Sequence, residues 1–180
     1  MSHISAVNDA LAAPATKDER PAPTVDPGAM RRTLAGFATG LAVVATEDDE
    51  GAVVGMPVNS LVSVSLEPPL VSLSFAHTSS TWPLLKRAQR WGISVLSEDA
   101  MSVARDLRRP TTERFSGLDV DVIDGAVFLR GALAKIGVTL HSEIQAGDHT
   151  LVLLNVISVE RDESISPLIF YSSKIHTLAA

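Results

Sequence analysis

The chain has 180 residues, 4 % of them aromatic, which suits one domain with a core packed from Val, Leu and Ala. It has no cysteine, so disulfides, thiolate metal sites and thiol nucleophiles are excluded, in keeping with a reducing compartment. The net charge of −6 argues against a nucleic-acid binder, which carries a basic face. No apolar run approaches the roughly 18 residues of a membrane span. The N-terminus also lacks a basic-then-apolar leader, so a cytoplasmic protein with no membrane partner is expected.

Residues 1–25, with Pro14, Pro21 and Pro23 and no periodicity, read as a disordered extension, and 26–180 as the folded domain. Asp26-Pro27 is a helix-start signal. Met30, Leu34 and Phe37 follow at helical spacing, with Gly40 as the stop. Leu41–Thr46, a polar turn over 47–51 and a further strand make a strand-turn-strand unit. Val62, Val64 and Leu66 alternate with polar neighbours, as do Val71, Leu73 and Phe75, with a loop forced at Pro68-Pro69. A helix is expected over 81–90, then a strand carrying Trp91, Ile93 and Val95. Residues 98–109 form the best amphipathic helix, with Ala100, Val103, Ala104 and Leu107 on one face and arginines near its end. Long strands over 126–140 and 149–160 precede the segment Pro167–Tyr171. Six or more strands, few helices and no βαβ alternation point to a mainly β, antiparallel barrel with helical inserts. There is no Gly-x-Gly-x-x-Gly and no Walker loop.

Four segments could carry chemistry. The run from Gly55 to Leu70 sets Asn59, Ser60, Ser63 and Ser65 in β-prone apolar surroundings. A buried polar group without a partner costs roughly 1–3 kcal/mol, so either backbone groups pair with these side chains or a polar ligand does. Asn59 can both donate to and accept from a planar heterocycle. His77–Thr81 leaves a strand and enters a helix, and its hydroxyls and free N–H groups suit a phosphate; the plainer alternative is an ordinary helix cap. Gly147-Asp148-His149 reads first as a hairpin turn. Arg114–Gly117 reads first as a loop anchored by Phe115. His3, His77, His141 and His176 show no metal-ligand spacing, so no metal is expected. With no Gly-x-Ser-x-Gly elbow, hydrolase chemistry is set aside.

Taken in this order, the segments resemble the flavin reductase-like family of FMN-binding split barrels. The likeness spans about Met30 to Leu178. It covers Thr39–Thr46, the block Gly55–Val71, Ser79–Thr81, Arg114–Gly117, Gly147–His149 and Pro167–Tyr171. The resemblance implies a homodimeric, antiparallel split barrel of Greek-key type that binds FMN or FAD and takes NADH or NADPH as reductant. It implies a cofactor site built from Met56, Pro57, Val58, Asn59, Ser60, Ser63, Phe75 and Ala76. Ser79, Ser80 and Thr81 would lie at the phosphate, and Phe115 and Tyr171 at the flavin or the partner chain. His149 would sit where the nicotinamide stacks, positioning the rings.

Three positions depart from the family pattern: Pro57 where threonine is usual, Asn155 where glycine is common, and Ile175 where an aromatic is frequent. The activity implied is NAD(P)H-dependent reduction of flavin, delivered to a flavin-dependent monooxygenase component. A non-catalytic flavin-binding module, for sensing or storage, and a β-barrel interaction protein are the competing readings.

Overall fold

The Asp26 carboxylate accepts the Ala29 amide at 2.6 Å, with proline in the first turn, and so opens helix α1 (Pro27–Leu34). In the computed structural model, which describes residues 25–178, the expected 1–25 extension falls outside the described part but for Val25. Helix α1 ends at Leu34, not at Gly40. Residues 39–40 are instead drawn into strand β1 (Thr39–Gly40), which pairs with a late strand, Leu168–Tyr171.

Strands β2 (Ala42–Glu47), β3 (Val53–Val58), β4 (Val62–Leu66) and β5 (Pro69–Ala76) come next. After the short helix α2 (Trp82–Leu85) and strand β6 (Trp91–Val95), a 3₁₀ turn leads into helix α3 (Met101–Asp106). Strands β7 (Val120–Ile123), β8 (Ala126–Leu129), β9 (Ala134–Ala146) and β10 (His149–Arg161) follow. The chain closes with β11 (Leu168–Tyr171) and β12 (Lys174–Thr177). The main sheet runs β4-β5-β10-β9-β6-β2-β8-β7, antiparallel throughout, with β3 also on β2. Strands β3 and β4, at opposite sides of the β3-β2-β6-β9-β10-β5-β4 series, are joined by only residues 59–61, so this part of the sheet curls on itself into a barrel. A separate three-stranded sheet, β1-β11-β12, stands beside it.

The core lies in two places. Inside the barrel, Val44, Leu73, Phe75, Trp91, Ile93, Val138, Val152 and Leu154 are buried. Outside it, Val43, Leu96, Ala104, Leu107, Val127, Leu129 and Leu168 make a second cluster under α3. Strand β2 serves both, Ala42 and Val44 inward, Val43 and Ala45 outward. A strand covered on both faces is apolar without alternation.

Several expectations need correction. The helix over 81–90 shrinks to one turn, after which Arg87 and Ala88 donate three residues back to the Leu84 and Leu85 carbonyls; the Leu85 carbonyl also accepts Trp91 Nε1–H at 2.7 Å. The amphipathic helix over 98–109 divides into a 3₁₀ turn (Glu98–Ala100) and α3, although Ala104 and Leu107 are buried as its pattern requires. The strand over 126–140 breaks between β8 and β9, where Gly131 adopts φ +71°. Val62, Val64 and Leu66, read as the apolar face of a strand, are 56 %, 48 % and 89 % exposed on β4, an edge strand whose apolar face no other described element covers.

Candidate functional site

Strand β3 leads to the site. It pairs only with β2, and an edge strand tolerates Pro57, which can give no ladder hydrogen bond of its own. Val54 and Val58 face the barrel interior, while Gly55 faces outward. A Cβ at Gly55 would lie 2.6 Å from the Val44 carbonyl and 2.7 Å from the Phe115 ring. The glycine is therefore the seat on which Phe115 packs.

Beyond Val58 the chain leaves the sheet, and Asn59 stands exposed between two cavities. One, of 220 Å³, is lined by Pro57, Val58, Asn59, Arg108, Phe170 and Ile175 among others. The other, of 620 Å³, lies under α1 and includes Met30, Phe37, Thr39, Asn59, His149 and Phe170. Asn59 and Phe170 belong to both walls. The larger cavity falls in the range of small-molecule sites, roughly 300–1,000 Å³. Thr39 is part of its wall, and the Thr39 hydroxyl is itself buried and has no hydrogen-bond partner in the protein.

Ser60 is spoken for by the protein. Its hydroxyl accepts the Ser74 amide at 3.0 Å and lies 3.4 Å from the Ser74 carbonyl, continuing the β4–β5 ladder past Val62. Ser65 caps the turn by accepting the Glu67 amide at 3.2 Å. Ser63 is exposed on the edge strand, opposite Val71.

The hydroxyl loop after β5 sits beside the other end of β3. Ser79 Oγ accepts the Trp82 amide at 3.1 Å and reaches Met56 Sδ at 3.8 Å. Ser80 is exposed, whereas Thr81 is 2 % exposed and supports the loop from within. Arg114 ties this loop to β3, donating from Nη1 to Thr81 Oγ1 at 2.9 Å and to the Gly55 carbonyl at 3.1 Å.

His149 begins β10 opposite Ala76, just after a two-residue turn in which Gly147 adopts φ +64°. Its Nδ1 lies 2.7 Å from Asp148 Oδ1. The hydrogen bond to His149 holds the Asp148 carboxyl below the usual carboxylate range. An ionised carboxylate only accepts, so Nδ1 presents a proton to Asp148, and Nε2 is the ring nitrogen left on the other side.

The structure thus gathers Pro57, Val58, Asn59 and His149 around the paired cavities, and Met56, Ser79, Ser80 and Thr81 around the hydroxyl loop. It separates others. Phe75 is 1 % exposed and stacks on Trp82, with centroids 4.4 Å apart, so its side chain belongs to the core. Phe115 packs over Gly55 against the outer cluster. Tyr171 is 45 % exposed, 6.0 Å from the His176 ring. Sequence reading missed Phe170, although strand alternation with buried Leu168 places both on one face. It also missed Thr39, Arg108 and the cavity-lining role of α1. Among the described residues no His/Asp/Glu group is arranged to hold a metal, and no helix is long and apolar enough to cross a membrane.

A mainly antiparallel barrel with neutral donors and a histidine around a cavity beside an edge strand defines a small-molecule-binding barrel. The profile of the flavin reductase like domain matches residues 30–179, and the chain belongs to that family. It is 35 % identical to a flavin reductase of Pseudomonas putida over 148 residues, covering 82 % of this chain and 87 % of the relative. It is 33 % identical over 151 residues to the flavin-dependent monooxygenase reductase subunit HsaB of Rhodococcus jostii (strain RHA1), covering 83 % and 77 %. The solved NADH:FAD oxidoreductase SgcE6 of Streptomyces globisporus C-1027, in complex with NAD and FAD fragments, superposes with a TM-score of 0.79. That match is 29 % identical over 88 % of this chain and 98 % of the other.

Proposed function

We propose that the protein is an NAD(P)H-dependent flavin reductase that supplies reduced flavin to a partner monooxygenase. One observation carries the reading: in a chain with this family match, Asn59 and Phe170 form the shared wall of two adjoining cavities, with His149 on the rim of the larger.

The residues fit a flavin. Donors and acceptors near the cavities are mostly neutral, as a heterocycle with several carbonyl and ring-nitrogen positions requires. The orphaned Thr39 hydroxyl awaits a polar partner. Ser79 of the hydroxyl loop meets β3 at Met56, and Asn59 follows the strand's last residue, Val58, so the loop and the Asn59 amide can hold two parts of an extended ligand.

Bound flavin supplies the electron acceptor, taking a hydride at N5 from C4 of the reduced nicotinamide. The chain has to bind and orient. Asn59 hydrogen-bonds the ring edge, Pro57 and Val58 give it an apolar bed, and Ser79 and Ser80 hold the phosphate end. His149, held at Nδ1 by Asp148, fixes how the nicotinamide lies. Met30 of helix α1, and Phe37 just beyond it, lie along the larger cavity and would keep water from the rings. No side chain has to move a proton.

We further propose a homodimer. The unpaired apolar edge of β4 and the exposed face of α1 support it, since such surfaces are normally covered. The cytoplasm, where reduced nicotinamide is maintained, is the compartment this reading requires.

The test mixes purified protein with FMN or FAD and with NADH or NADPH, following nicotinamide absorbance. Flavin-dependent oxidation is expected. Tight flavin binding without oxidation would instead indicate a storage or sensing module, and no flavin binding would overturn the reading.

A further inference from the structure

We infer that Arg114 is the cation at the phosphate end of the flavin site and makes the protein prefer a phosphorylated flavin to riboflavin. The inference rests on the flavin reading above and assigns one residue's part in it.

Arg114 is half-buried and makes three hydrogen bonds, all to neutral acceptors: the Gly55 carbonyl at 3.1 Å, Thr81 Oγ1 at 2.9 Å and, from Nε, the Arg109 carbonyl at 3.1 Å. Among the described residues no carboxylate pairs with it, whereas Arg90, Arg109 and Arg130 each hold an aspartate at 2.6–2.8 Å. A guanidinium partly withdrawn from water and left without an anion is a site shaped for one.

What lies beside it has the matching chemistry. Ser79 Oγ is already fixed as an acceptor by the Thr81 and Trp82 amides at 3.3 and 3.1 Å. Its own proton points to the thioether of Met56, a weak acceptor that an anionic oxygen would displace. Thr81 Oγ1, buried beneath the loop, accepts the Arg114 hydrogen bond and so holds the guanidinium against the loop. Ser80 is open to solvent next to both. Hydroxyl donors against one guanidinium, with no competing carboxylate, complement a phosphate monoester.

The short helix α2 sharpens the argument. One turn has almost no macrodipole, so the positive charge must come from a side chain. Arg114 is the cation that hydrogen-bonds to this loop. It comes from a motif 33 positions further along the chain than Thr81.

The alternative is a neutral strut that merely fastens the loop to β3. The experiment measures the dissociation constants of FMN and riboflavin, by quenching of flavin fluorescence, for the wild type, R114K and R114Q at low and high salt. The wild type should bind FMN about tenfold more tightly than riboflavin, the scale of one charge-assisted hydrogen bond, and salt should narrow the gap. R114Q should lose the gap by weakening FMN alone, and R114K should keep most of it. Equal weakening of both ligands in R114Q, no change in either, or loss of the FMN preference in R114K would overturn the inference. So would a wild-type preference insensitive to salt, which remains decisive if R114Q fails to fold. A wild type that binds both flavins equally defeats this inference alone; one that binds neither defeats the flavin reading itself.

Discussion

Ser60 Oγ and the Ser74 backbone amide, 3.0 Å apart, replace the rung that the β4–β5 ladder loses where the chain turns away toward Asn59. The polar excess after β3 therefore has two explanations: Ser60 is spent on structure, whereas Asn59 is left for a ligand. Ser60→Ala strands the Ser74 amide and should lower stability by about 1–2 kcal/mol. Urea unfolding checks this. Flavin affinity should change far less than in Asn59→Ala, and the reverse order would return Ser60 to the ring.

Gly55 and Phe115 make a second linked pair. A methyl group at Gly55 would meet the Val44 carbonyl at 2.6 Å, which is backbone and cannot swing aside, and the Phe115 ring at 2.7 Å. Gly55→Ala should destabilise by roughly 1–3 kcal/mol, the usual cost of overpacking. Adding Phe115→Leu should recover only part of it, because the carbonyl clash persists. A fully rescued thermal midpoint would show that the ring was the whole obstacle.

How far the sequence reaches can be judged from these residues. The period of two located β4, β5 and β6, and the Asp26-Pro27 cap located α1, because each signal is local. Edge position is not local. Nothing in Val62, Val64 and Leu66 tells that β4 has a partner on one side only, so their exposure was unreadable. Phe75 followed its alternation correctly, yet alternation does not say that the inward face is a packed core and not a ligand wall. Arg114 and Thr81 meet only because the loop before β7 folds back onto β3, a contact between distant segments that neither motif announces. The resemblance could name the ligand class; it could not show that α1 borders the cavity or that Phe170, not Tyr171, lines it.

The exposed edge of β4 carries the dimer proposal. Val64→Lys puts a charge on a face that is nearly half exposed in the single chain. It should leave the monomer fold intact by circular dichroism and shift the sedimentation coefficient toward that of a monomer. An unchanged dimer would place the interface elsewhere, with the α1 face as the next surface to test.

Asp121 predicts a pH dependence. Hydrogen bonds from Arg130 and Lys135, at 2.8 and 3.1 Å, hold its carboxyl below the usual 3.8. A carboxyl with a depressed folded pKa contributes stability above its unfolded value and loses it as pH falls through the folded one. Asp121→Asn should therefore unfold earlier than the wild type from neutral pH down to about 4, the ordinary carboxylate region. The two urea midpoints should converge below it. A gap that persists at pH 2 would mean that the aspartate acts through packing and not charge.

His149 tests the division of labour at the site. Asp148 holds the Nδ1 side of the ring and His149 lines the larger cavity, while Asn59 stands between both cavities. If His149 orients the nicotinamide and Asn59 holds the flavin, the two alanine variants should separate in kinetics. His149→Ala should slow flavin reduction by tenfold or more, about 1.4 kcal/mol in the barrel's ordering of the two rings, with flavin affinity within a factor of two or so of wild type on the same scale. Asn59→Ala should raise the flavin dissociation constant while reduction at saturating flavin stays closer to wild type. Stopped-flow reduction and flavin titration measure both. A His149→Ala variant that reduces flavin at the wild-type rate would remove the histidine from the site, and the exposed Asp148–His149 pair would then be no more than the turn that starts β10.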